Sequence, residues 1–107
     1  MNIDESKLLA DMYRDDYFPN HLVDKGKLIL VTLCNEIEQA NPKSAEEVYS
    51  FTHKATERFN LLQEEFEAEG SEIETAARES IAESVATILD ATDIDYDLEE
   101  AIAPRDW

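Results

Sequence analysis

Carboxylates dominate the reactive side chains of this sequence. It has 26 Asp and Glu against nine Lys and Arg in 107 residues, for a formal charge of −17. They are also unevenly placed. Residues 1–43 hold five basic and eight acidic residues, whereas residues 44–107 hold four and 18. Between Glu64 and Glu100 stand 14 acids and a single base, Arg78. Carboxylates in this number suit three kinds of chemistry: metal ligation, general acid–base work, and electrostatic docking of a basic partner.

The spacings argue against the first, and none supports a particular reaction. Di-metal helical bundles use Glu-x-x-His, but Ser50 stands three residues before His53 and Phe18 three before His21. Glu64-x-x-Glu67 matches the first half of the magnesium signature of all-α nucleotide pyrophosphatases, and the second half, Glu-x-x-Asp, occurs nowhere. Asp93-x-Asp95-x-Asp97 opens like a calcium loop, yet Leu98 occupies the sixth position, which needs Gly, and Pro104 the twelfth, which needs a bidentate Glu. His53 and Glu57, four apart on one helix face, are expected to form a surface hydrogen bond. No metal, cofactor or catalytic residue is therefore assigned.

Nucleophilic chemistry has less support. The one cysteine, Cys34, falls on an apolar helix face, where thiols behave as small hydrophobes. The only glycines are Gly26 and Gly70, so no phosphate-cradling loop exists. With this charge, direct binding to nucleic acid is disfavoured.

The third use remains open. Glu64, Glu65, Glu67 and Glu69 form the candidate acidic docking face, because the charge excess is larger than solubility requires. A second candidate patch comes from polar and aromatic residues with no evident structural duty: Tyr13, Asp15, Asp16, Tyr17, His21, Arg105, Asp106 and Trp107. A terminal tryptophan is a solubility liability unless packed, and Pro104 stiffens the approach to it. The tail is expected to fold back onto the Tyr13 to Phe18 loop, with Arg105 pairing Asp15 or Asp16.

These residues must be positioned by helices, since the long periodic segments fit 3.6 and none fits 2. The expected architecture is all-α: one domain over residues 1–107, a bundle of four to five helices with an ordered aromatic loop after the first. Helix 1 is expected over 1–13, capped near Asp4, and the aromatic loop over 14–21, where Pro19 holds Phe18 extended and the aromatics pack inward. Helix 2 spans 22–39 and ends before Asn41-Pro42. Ser44-Ala45-Glu46-Glu47 reads as a capping box opening helix 3 over 45–69, with Val48, Phe51, Ala55, Phe59, Leu62 and Phe66 on its apolar stripe. Gly70 and a second box, Ser71 to Glu74, predict a tight hairpin into helix 4 over 72–90, packed antiparallel against helix 3. A short helix over 98–102 and a tail over 103–107 complete the chain.

The N-terminus carries acids where a signal peptide carries bases, and the longest apolar run, Leu28 to Leu33, is interrupted by Thr32. A cytoplasmic protein that neither spans nor contacts a membrane is expected.

Three stretches together resemble an uncharacterised family of small acidic bacterial proteins, a domain of unknown function. They are Asp15-Asp16-Tyr17-Phe18-Pro19-Asn20 with Lys25-Gly26-Lys27, then Ser71-Glu72-Ile73-Glu74-Thr75-Ala76-Ala77-Arg78-Glu79, and lastly Ile102-Ala103-Pro104-Arg105-Asp106-Trp107. The resemblance implies a single-domain protein and carries over no functional residue. The functional expectation is a non-enzymatic acidic module that binds a protein with a basic surface, which it would neutralise or escort. The competing class is a carboxylate-rich metal-binding protein or small metal-dependent hydrolase.

Overall fold

Ser44 starts the longest helix as its sequence demands. Its extended backbone lets Oγ accept the Glu47 N–H at 3.3 Å, while Glu47 Oε2 reaches back to the Lys43 N–H at 3.2 Å. The computed structural model describes residues 3–107, and every regular element in that range is helical. After a 3-10 turn over Glu5–Lys7 come α1 (Ala10–Tyr13), α2 (Asn20–Ala40), α3 (Ala45–Ala68), α4 (Thr75–Asp90) and α5 (Leu98–Ala101). The all-α bundle expected from periodicity is the fold observed. No described helix is long and apolar enough to cross a membrane.

The single helix expected over 1–13 does not form; Met1 and Asn2 lie outside the described residues. Asp4 caps only the 3-10 turn, accepting the Ser6 N–H at 3.0 Å. Leu9 then adopts a left-handed conformation, φ 56°, which ends that turn and starts α1 in a new direction. The break lets the consecutive Leu8 and Leu9 enter the core from two elements that run in different directions. Its cost is met from α4: the Leu9 N–H donates to Ser84 Oγ at 3.0 Å, and that hydroxyl donates to the Ser80 carbonyl at 2.8 Å.

The main frame is the antiparallel pair α2–α3. Asn41, left-handed at φ 47°, closes α2 by donating its N–H to the Ile37 carbonyl, and Pro42 prevents continuation. Gly26 allows the two helices to approach. A Cβ there would stand 2.9 Å from Leu9 Cδ1 and 3.1 Å from Phe59 Cε1, so this mid-helix glycine, unfavourable by propensity, is required by packing. Phe59 and Phe66 fill the middle and the far end of the core between α2, α3 and the loops.

The hairpin expected between helices 3 and 4 is replaced by a stop. At Gly70, φ 80°, the Ser71 N–H donates to the Phe66 carbonyl and the Gly70 N–H to that of Glu67, a Schellman closure. Ser71 is thereby used to end α3 and does not cap α4, which begins at Thr75 rather than at residue 72. The chain crosses in extended form, burying Ile73, and α4 packs on α1, α2 and α5 instead of lying antiparallel on α3. The small buried face of Ala77, Ser80 and Ser84 serves a close approach, as its composition suggests, but the element that uses it is α1.

Candidate functional site

The loop between α1 and α2 is ordered by its own side chains. Asp15 accepts the Tyr17 N–H at 2.9 Å through its carboxylate, and its carbonyl accepts the Phe18 N–H at 3.1 Å, an Asx turn. The turn divides the two aromatics that the sequence places inward together. Phe18 is buried edge-on against Phe66 at 6.2 Å, whereas Tyr17, edge-on to Phe18 at 5.1 Å, keeps 42% of its surface in solvent. Tyr17 lies beside Ser71, Glu72 and Glu74 of the connection after α3. Partial desolvation, then those two carboxylates, raise its phenol above the usual value. Asp16 is exposed.

Antiparallel packing of α2 and α3 joins this loop to the acidic run. His21 Nε2 contacts Glu69 Oε2 at 2.7 Å, and Lys25 Nζ contacts Glu65 Oε1 at 2.5 Å. Two of the four proposed docking acids therefore already have intramolecular partners. Glu64 and Glu67 are exposed, and no ion pair among the described residues engages them. In the sequence the loop and the acidic run are separate candidates; His21 and Glu69, 48 residues apart, are what unite them.

The tail goes elsewhere. Trp107 is buried, but its partner is Phe59 at 6.2 Å, ring edge to face, rather than the Tyr13 to Phe18 loop. Asn60 fixes the approach at both ends of its amide: Nδ2 donates to the Pro104 carbonyl at 3.0 Å and Oδ1 accepts the Asp106 N–H at 2.9 Å. Arg105 pairs with Glu99 at 3.3 Å, not with Asp15 or Asp16. Glu69, which holds His21, is nine residues beyond Asn60, which holds Asp106, so about 13 Å of helix separates the two ends. The patch expected from Tyr17, His21, Arg105 and Asp106 is divided in two by α3.

Tyr13 is structural. Its hydroxyl donates to Asp24 at 2.6 Å and its ring lies 5.9 Å beneath Lys27 Nζ. Tyr96 makes the equivalent bond to Asp90, also at 2.6 Å. Burial first, then the acceptor carboxylate, pushes each phenol up to about 12. Such a group holds its proton more tightly in the folded chain. Its contribution to stability is complete below the unfolded value near 10 and is lost as pH rises from there through about 12. An alkaline titration followed by tyrosinate absorbance should show two late phenols, one removed by Tyr13→Phe and the other by Tyr96→Phe. Variants that each lose a phenol titrating near the ordinary value of about 10, rather than a late one, would contradict both bonds.

The other sequence candidates resolve into supports. His53 does not pair with Glu57. It stacks on Tyr49 and donates from Nε2 to the Glu100 carbonyl at 2.6 Å, while the Tyr49 hydroxyl accepts the Asp97 N–H at 2.8 Å. These two residues bind α5 and the residue before it to α3, and Asp97 caps α5 by accepting the Glu99 N–H at 3.0 Å. Among the described residues no three His, Cys, Asp or Glu converge in a way that could hold a metal ion. Burial, then the charges of Glu5 and Glu38, raises the Cys34 thiol, which keeps it a poor nucleophile.

No curated protein and no solved structure matches the sequence. A family model does match, over residues 2–107. It spans all three motifs that suggested an uncharacterised family, and with nearly the whole chain covered, the protein belongs to the family of unknown function DUF5713.

Proposed function

We propose that this chain is a non-enzymatic, cytoplasmic interaction module that docks a protein of basic surface at the end of the bundle where α3 stops. The observation that carries the reading is the state of the carboxylates there. Glu64 and Glu67 are exposed with no ion pair among the described residues, Glu72 and Glu74 follow across the turn, and the charges of these last two act on the half-exposed Tyr17. A field of this sign accelerates encounter with a basic surface and orients it. An exposed aromatic beside carboxylates adds a face on which an arginine or lysine can rest.

The test starts from a basic protein recovered by affinity capture at low and moderate salt. Glu64→Gln with Glu67→Gln removes two charges without breaking an intramolecular pair, whereas changes at Glu65 or Glu69 would also release Lys25 or His21. The double variant should associate more slowly by about 3–10-fold with little change in dissociation. Unchanged association kinetics, or no basic partner at any salt, would overturn the reading.

A further inference from the structure

Away from that acidic end, the outer face of α2 and α3 has a different character. The two most exposed large aliphatic side chains among the described residues, Leu28 and Leu61, are 65% and 66% accessible. They share this face. Lys25 meets Glu65 on one side of them, and Glu36 meets Lys54 at 2.9 Å and Arg58 at 3.6 Å on the other. Leu28 stands one turn from Lys25, and Leu61 one turn from Glu65, both toward the Glu36 end. The register set by these ion pairs puts the leucines across from one another on the solvent side of the helix pair. Leu61 points about 40° further outward than Glu65, and Leu28 about 60° further than Lys25.

We propose that this face is a homodimer interface, in which the α2–α3 pairs of two copies pack as a four-helix bundle about the leucines. Charge identifies the occupant. The ion pairs of the seam hold three bases, Lys25, Lys54 and Arg58, against three acids, Glu36, Glu65 and Glu69, with His21 beside the last, in a chain whose net charge is −17. A basic protein is drawn to the carboxylates elsewhere, and an anionic membrane is repelled by the chain as a whole. A second copy finds here the stretch where its own approach is least opposed. Both signs occur at each end of the seam, so a two-fold arrangement can place opposite charges together. Helices of 21 and 24 residues, side by side, present roughly 600 Å² per copy. The total of about 1,200 Å² lies at the lower end of specific interfaces and fits a weak dimer. Asp24, Glu57 and Glu64 lie further round the two helices and oppose their counterparts at the rim, so the dimer strengthens with salt as these are screened.

The dimer is separable from the docking role by that salt dependence, since a basic partner is released by the salt that favours self-association. Sedimentation equilibrium of the full chain, from micromolar to millimolar concentration, should give a mass moving from one copy toward two. The shift should grow between about 0.1 M NaCl, where the Debye length is about 10 Å, and about 1 M, where it is about 3 Å. Leu28→Glu with Leu61→Glu, both at solvent-exposed positions, should abolish the shift while the helical circular dichroism is unchanged, and Leu28→Met with Leu61→Met should retain it. A chain that stays monomeric at every concentration and salt would overturn the proposal. So would a dimer that survives the two glutamates.

Discussion

Phe59→Ala should destabilise the protein by about 3–5 kcal/mol, the cost of emptying a fully enclosed phenylalanine site. The ring is buried beneath three separate elements: Trp107 of the tail at 6.2 Å, the Gly26 backbone of α2, and Leu9, whose Cδ1 lies against the same glycine. None can close the cavity freely. Leu9 is pinned by its left-handed backbone and its bond to Ser84, α2 is held at both ends of its seam with α3, and the tail is held by Asn60. At about 4–8 °C per kcal/mol for a domain near this size, Tm should fall by at least about 12 °C. A second signal accompanies the first. Trp107 is the only tryptophan, and its Nε1 meets no acceptor among the described residues, so its ring is held by apolar packing against Phe59. Its emission should shift to the red in the folded variant. A loss below about 1 kcal/mol with unchanged emission would show that Phe59 is not the support of the tail.

The second large effect is expected at Ser84. Its Oγ accepts the buried Leu9 N–H, which leaves the helical pattern because Leu9 is left-handed. Ser84→Ala removes the acceptor and keeps the donor buried, which costs about 1–3 kcal/mol, offset only by the slightly better helix propensity of alanine. Ser80 is the control. It is equally buried on the same face, but only its main-chain carbonyl takes part, and Ser80→Ala leaves both hydrogen bonds in place. Chemical denaturation should therefore rank the two variants with Ser84→Ala the weaker. Amide exchange should show the Leu9 proton losing protection in that variant alone. Equal, small losses in both would mean that the Leu9 turn is stabilised by packing rather than by this bond.

What the sequence determined by itself were the features set by interactions within a few residues. The apolar stripe from Val48 to Phe66, the Ser44 cap and the stop at Asn41-Pro42 all depend on neighbours three or four positions away, and all are legible as written. Tertiary structure decided which elements meet. Leu9 breaks the first helix because Ser84, 75 residues on, offers an acceptor. Ser71 ends α3 rather than starting α4 because Gly70 takes the left-handed turn. The tail lies on Phe59 and Asn60 because that surface is left open between α3 and α5. The candidate site shows the same division. Exposed Glu64 and Glu67 follow from the helical period, whereas the pairing of Glu65 and Glu69 with Lys25 and His21 exists only once α2 and α3 lie antiparallel. Helical period and caps limit each segment to one conformation, but a buried face is satisfied by any apolar surface of matching shape. The choice of neighbour is made by the packing of the whole chain.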